Sequence, residues 1–193
     1  MVLLIIGLAV FLGAHSVQIF APGLRAAFIA KRGAGPWKGL YAALSGVGFV
    51  LLIKGYADAR AAPALWTRPE GAEPITAVLV LLGFILITAA YWPRNHIKAA
   101  VRDPMVLGVA CWALGHLVSK SSPPALALFG AFLAWAVLDF ISLRLRPAPA
   151  GGPSAGGPPS LINTAGVVVF GAALGIAFAV WGHPLLIGVR PFG

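Results

Sequence analysis

Long apolar runs alternate with short polar stretches along the whole chain. A helix needs roughly 20 apolar residues to cross the hydrocarbon core of a bilayer. Six stretches come near that length: Val2 to Phe20, Leu40 to Ala57, Ile75 to Trp92, Met105 to Val118, Ala125 to Leu145 and Leu161 to Trp181. The fourth is short and needs its flanks to reach across. Backbone polar groups find no water partners in lipid, so segments of this kind must be helical. The pattern predicts an all-α, polytopic transmembrane helix bundle of about six spans. Pro22 and Gly23 close the first run. No basic residue precedes that run and no clear small-residue cleavage site follows it, so it reads as a retained span and not as a signal peptide.

One segment breaks the pattern. Residues 147–160 read PAPAGGPSAGGPPS, made only of proline, alanine, glycine and serine, which is the composition of a flexible linker. It divides a five-span unit, residues 1–146, from an appended span and short tail in residues 161–193. The last span is rich in glycine, alanine and valine and has no ionisable group before His183. The chemistry is therefore expected in residues 1–146.

Composition agrees with the pattern and narrows it. Of 193 residues, 60% are hydrophobic and only 10% carry charge, against about a quarter charged in an ordinary soluble domain. So few charges cannot cover the surface of a soluble enzyme or a DNA-binding domain. The net charge of +9 would suggest a polyanionic partner if the basic residues formed a stripe. They do not, and no nucleic-acid partner is expected. Sorted by loop, they give orientation instead. Arg25, Lys31, Arg32, Lys38, Arg94, Lys98, Arg102, Arg144 and Arg146 follow spans one, three and five, whereas Lys54, Arg60, Arg68, Lys120 and Arg190 lie on the opposite side. The bias places the first group in the cytoplasm and both termini on the outer side. A single cysteine, Cys111, leaves no disulfide framework within the chain and no covalent c-type haem motif.

Ionisable and polar groups inside spans are costly, so each is a candidate for function. The candidates are His15, Lys54, Cys111, His116 and Asp139. Lys54 lies one turn from the outer end of its span and can snorkel to the headgroups. Asp139 sits near the cytoplasmic end of span five, close to Arg144 and Arg146, where a paired interfacial carboxylate is the expected state. Cys111 reads as a small core residue. His96, in PRNHIKAAVRDP, belongs to a basic loop that meets anionic headgroups, and His183 lies at the outer end of the last span. His15, in LGAHSV, and His116, in WALGHLV, stand apart. Both follow glycine or alanine closely, which leaves room for a flat ligand or a close helix. Imidazole suits iron, copper and zinc. With no carboxylate or thiolate beside them, two nitrogens fit haem iron better than zinc, which takes three or four protein ligands. Their depths, counted at 1.5 Å per residue from the inner ends of their spans, differ by roughly 8 Å. A helix-packing pair or a proton path remains the alternative for the same two residues. FLGAHSV and WALGHLVS also form a short echo between two three-span halves, too brief to establish a repeat.

The chain resembles the NnrU family. The stretches that carry the resemblance are HSVQIFAPGLR (His15–Arg25), GPWKGLY (Gly35–Tyr41), GYADARAAPALW (Gly55–Trp66), RNHIKAAVRDPMVLG (Arg94–Gly108), WALGHL (Trp112–Leu117) and FLAWAVLDFISL (Phe132–Leu143). They cover most of residues 1–146 in order and leave out the linker and the sixth span. The resemblance implies a bacterial inner-membrane protein linked to denitrification, to nitrite and nitric oxide reduction or its regulation. The family is similar to 15-cis-ζ-carotene isomerase of plants and cyanobacteria, a haem b protein that converts a central cis double bond to trans. That likeness implies haem b held by His15 and His116, and an apolar polyene as an alternative substrate. A third reading is a cofactor-free small transporter or an assembly factor for membrane reductase subunits. Two departures from the isomerase concern its redox switching and leave the histidine pair intact. This chain has Asp103-Pro104 where the isomerase has His-Pro, and Ala113 where it has cysteine, with Cys111 two places away.

Overall fold

The computed structural model describes residues 1–146 and 157–191. It is helical throughout, with no strand among the described residues. The helices are α1 (Val2–Phe20), α2 (Pro22–Arg32), α3 (Ala34–Ala59), α4 (Ala72–Tyr91), α5 (His96–Val101), α6 (Pro104–Ser119), α7 (Pro123–Leu145), α8 (Leu161–Ala177) and α9 (His183–Ile187), with a π-helical turn at Phe178–Gly182 joining the last two. Five of these stretches are long and apolar enough to cross a membrane: α1, α3, α4, α7 and the continuous helix Leu161–Ile187. Helix α6, the short fourth span, is apolar but has only 16 residues. All six predicted spans are therefore present as helices. Ten residues of the predicted linker, 147–156, lie outside the described residues.

Two local features refine the sequence reading. The break at residues 21–23 is a change of direction and not a loop. Ala21 leaves the helical region at φ −139°, and Pro22 begins α2 at once, because its ring presets the φ of a first helical residue. At the other end of the chain, the last span continues past Trp181 to Ile187 through the π-helical turn. Pro184 follows that turn. It has no N–H to give to the preceding turn, and a widened turn is one way for a helix to absorb it.

The helices pack in the order α3, α1, α7, α6, α4, α8, each touching the next, with α3 also reaching α7. Lipid is as apolar as leucine, so burial does not drive such helices together; close packing does. Large side chains accordingly point outward, such as Val50 (63% exposed) and Val169 (69% exposed), while glycines line the contacts. A Cβ on Gly55 of α3 would sit 2.7 Å from the Cα of Leu4 on α1, and one on Gly108 of α6 would sit 2.8 Å from the carbonyl of Gly83 on α4. The span expected to be an appendage packs along α4 through Gly171 and Gly175, facing Ile85 and Phe84.

The loops gather at two ends. At one, Arg102 donates to the Leu143 carbonyl (3.2 Å), Arg144 to that of Val101 (2.7 Å) and Arg146 to that of Gln18 (2.9 Å). At the other, the Leu65 amide donates to Ser121 (3.2 Å), Ser121 Oγ donates to the Trp66 carbonyl (2.7 Å), and Arg60 donates to the carbonyl of Ile187. The basic loops after spans one, three and five thus share one end of the bundle.

Asn95 holds that end together. It is 2% exposed. Its Nδ2 donates to Ala89 O (3.0 Å) and Trp92 O (2.7 Å), and its Oδ1 caps α5 by accepting from the Lys98 amide (2.7 Å). Next to it, His96 bonds Thr164 of α8 through its amide (3.0 Å) and its ring (2.9 Å). Asn95→Ala is expected to lower stability by about 2–3 kcal/mol, since buried carbonyls lose their donor and α5 its cap. Asn95→Asp keeps the cap acceptor but sets a carboxylate oxygen against the carbonyls of Ala89 and Trp92, so it should cost at least as much. Thermal unfolding in detergent reads both.

Candidate functional site

His15 lies three-quarters of the way along α1, and His116 lies in the last turn of α6. Each imidazole is held in the same manner. His15 donates from Nδ1 to the carbonyl of Phe11, four residues earlier, at 2.7 Å. His116 does the same to Trp112 at 2.8 Å. A carbonyl only accepts, so Nδ1 carries the proton and Nε2 keeps a free lone pair. Among the described residues neither Nε2 has a hydrogen-bond partner. Fixing one ring nitrogen by a backbone carbonyl is how proteins set the tautomer and orientation of a metal-binding histidine. Each ring is also stacked: His15 on Phe11 (centroids 4.2 Å apart, 27° between planes) and His116 on Phe129 of α7 (4.3 Å, 16°).

Helix α7 lies between the two. His15 meets Trp135 edge-on at 6.0 Å and Tyr41 of α3 at 5.1 Å, whereas His116 meets Phe129. Six residues of α7 separate Trp135 from Phe129, about 9 Å along the helix. That agrees with the offset read from the sequence. Aromatic rings fill the interval in sequence of contact: Phe11 to Phe132 at 5.7 Å, Phe132 to Trp112 at 5.4 Å, and Trp112 to His116 at 5.2 Å.

The remaining candidates take bland positions. Lys54 is exposed and pairs with Asp58 at 3.7 Å. Asp139 pairs with Arg146 at 3.9 Å, as an interfacial carboxylate would. Cys111 is half-buried and has no thiol partner. His96 tethers α8, and His183 bonds Val189 at 2.7 Å. Tyr41 and Trp135, neighbours of His15, were not singled out by sequence; nothing in their spacing marks them. The aromatic residue four places before each histidine was visible as Phe11-x-x-x-His15 and Trp112-x-x-x-His116, and it is the source of both anchoring carbonyls.

The donor set can be tested against the group it would hold. Among the described residues no three His, Cys, Asp or Glu come together as a metal site. Zinc takes three or four protein ligands. Haem iron has four nitrogens from its porphyrin and takes one or two from the protein. Each imidazole, oriented and with its Nε2 free, suits the role of one such protein ligand, and the rings of Phe132 and Trp112 stand between the two. Of two apolar grooves, one lies away from both histidines. This groove, about 290 Å³, runs between α4 and α8, lined by Ile87, Tyr91, Trp92 and Phe170. The other, about 210 Å³, is lined by Phe84, Ile87, Trp112, Phe132 and Phe178 and so shares Trp112 with the surroundings of His116.

Among curated proteins and among solved structures, none matches the chain. A family model described as NnrU protein matches residues 3–191. The match runs on through the last span, which the motif resemblance leaves outside, and agrees with the packing of that span on α4. Nearly the whole chain is covered, and the protein belongs to the NnrU family.

Proposed function

We propose that this protein binds haem b, that His15 and His116 would hold it, and that it serves nitrogen-oxide respiration or its regulation, the role the family resemblance implies. The observation that carries the haem reading is the matched state of the two imidazoles: each Nδ1 is committed to the carbonyl four residues back, and each Nε2 is free. Haem would supply iron-centred electron transfer or ligand binding. The chain supplies oriented nitrogens, and Phe11, Phe132 and Trp112 supply apolar faces that exclude water. Full-length protein purified from cells with ample haem supply is expected to show a Soret band with about one haem per chain. A colourless preparation that takes up no added haem would overturn the proposal.

A second reading has one observation in its favour. The aromatic groove beside Trp112 suits an apolar, unsaturated small molecule, as a polyene isomerase would need. Conversion of a tri-cis carotenoid by the reconstituted protein tests it. The transporter and assembly-factor readings have no feature of the structure in their favour.

The six helices set the protein in a bilayer as a multi-pass protein. We place it in the bacterial inner membrane with both termini periplasmic, because the nine basic residues named above share one end. Reporters fused after Gly193 are expected to be active only in the periplasm. Activity confined to the cytoplasm would reverse the topology.

A further inference from the structure

The gap between α4 and α8 has a charged head and an apolar body. At the head, the Ser160 amide donates to the Arg94 carbonyl at 2.8 Å and ties the loop after α4 to the start of α8. Arg94 holds φ +46°, a conformation that side chains rarely adopt. Its stem lies along Gly157, 3.8 Å from where a Cβ there would sit. Its guanidinium is exposed and makes no ion pair or hydrogen bond among the described residues. Helix α8 starts beside it without a side-chain cap from Ser160, so the positive end of that helix adds to the charge of Arg94. The body is the groove of about 290 Å³, which begins at Pro93 and Trp92 and is walled by Ile87, Phe170 and Leu174. Two hydroxyls lie on its lining. That of Tyr91 is bonded to Met105 Sδ at 3.4 Å. Thr88, one turn deeper than Trp92, is only 9% exposed. Its Oγ1 faces α8, 3.1 Å from where a Cβ on Gly171 would stand, and has no hydrogen-bond partner among the described residues. Thr76 and Thr164, by contrast, each return the hydroxyl to the carbonyl four residues back.

The order along the gap is a cation, then a hydroxyl, then apolar walls. An anionic phospholipid has the complementary order: a phosphate, ester carbonyls a few bonds below it, then acyl chains. A guanidinium presents a fork of N–H donors that matches phosphate, and the free amides of a helix N-terminus bind the same group. An ester carbonyl accepts from the Thr88 hydroxyl, which in hydrocarbon is costly to leave unpaired. A zwitterionic lipid brings an ammonium beside its phosphate, which Arg94 and the α8 N-terminus disfavour. A wholly apolar molecule has nothing to offer either Arg94 or Thr88.

We propose that the α4–α8 groove is a binding site for one anionic phospholipid. Its phosphate sits between Arg94 and the N-terminus of α8, a glycerol ester carbonyl accepts from Thr88, and an acyl chain lies along Ile87, Phe170 and Leu174. Basic pockets between membrane helices take anionic headgroups in this way. The lipid bridges the last span and α4, and so fastens residues 161–187 to the rest of the bundle at the end where the basic loops gather. The inference does not rest on haem and holds with or without it.

Native mass spectrometry tests it. Full-length protein is stripped of lipid in detergent and titrated with dioleoyl phosphatidylglycerol or with dioleoyl phosphatidylcholine. One phosphatidylglycerol per chain is expected to bind about tenfold more tightly than phosphatidylcholine. Arg94→Gln should lose that preference, whereas Lys31→Gln, on exposed α2, should keep it. Leu174→Trp fills the groove without touching the charge and should expel the lipid. A phosphatidylglycerol with ether-linked chains lacks the ester carbonyls. It should bind the parent protein about fivefold more weakly than the ester lipid, and Thr88→Val should bind the two alike. Equal binding of phosphatidylglycerol and phosphatidylcholine, or equal losses in Arg94→Gln and Lys31→Gln, would reveal only diffuse charge and overturn the site. Undiminished binding to Leu174→Trp would overturn it too. Should that variant not fold, the ester–ether comparison in Thr88→Val, which keeps the side-chain shape, decides: an ester preference that survives in Thr88→Val overturns the site.

Discussion

If His15 and His116 hold haem as proposed, replacing either by phenylalanine should strip the protein of it. His15→Phe retains a ring against Phe11, and His116→Phe retains one against Phe129, at the positions where imidazoles now stack at 4.2 Å and 4.3 Å. Packing is largely conserved and the Nε2 donor is lost, so the substitution separates ligation from fold. Loss of a mere outer partner of a metal ligand costs 10–100-fold in affinity, and loss of the ligand itself should cost at least about that much. Each variant is therefore expected to purify with under about a tenth of the haem of the parent protein. Helicity should be unchanged by circular dichroism. Cys111→Ala, which removes a half-buried thiol away from the two stacks, should leave the spectrum as it was. Full haem content in both histidine variants would place the cofactor elsewhere.

The second large effect concerns the framework that carries His15. Gly55→Ala should separate α1 from α3. The added Cβ would meet the Leu4 backbone nitrogen and lie 2.7 Å from its Cα and 2.8 Å from the Leu3 carbonyl carbon. These are backbone atoms and cannot turn aside as a side chain would. Overpacking of this kind costs about 1–3 kcal/mol and more where the backbone must move. In lipid there is little else to hold the pair, because close approach is itself the attraction. A loss of about 3 kcal/mol is expected, read as a lower midpoint in denaturing detergent. Gly46→Ala on the same helix provides the contrast. Nothing lies within 4 Å of its Cβ, and alanine is the better helix former by nearly 1 kcal/mol, so that variant should be neutral or more stable. If both glycines respond alike, tight α1–α3 packing is not what stabilises the fold.

Much of this was legible in the chain itself. The six spans follow from apolar length, and their helical state follows from the absence of water partners in lipid. Only the ends shifted. Helix α2 begins where Pro22–Gly23 suggests a plain break, since proline that ends one helix can begin the next. The last span gained six residues beyond Trp181, because a π-helical turn carries the helix through Pro184. The two histidines were legible as well. Scarcity of other ionisable groups in the spans isolates them, and their depth follows from helix rise. The motif resemblance stopped short of the last span, whose glycine-rich composition has no distinctive residues to compare; the family match of residues 3–191 takes it in.

What sequence alone determined, then, is a membrane bundle, its loop charge bias, and His15 with His116 as the groups to examine. These depend on local quantities: run length, residue type, and counting along a helix. Tertiary structure decided which helices are neighbours, and so everything that depends on contact across them. It put α7 between the two histidine helices, seated the last span on α4, and turned Asn95 and His96 from loop residues into the fastening of one end. It also brought Tyr41 of α3 and Trp135 of α7 against His15. Neighbour choice in lipid turns on where glycine lets two backbones close in. Many glycines in this chain sit in spans, and only packing distinguishes Gly55, pressed against Leu4, from Gly46, which faces open space.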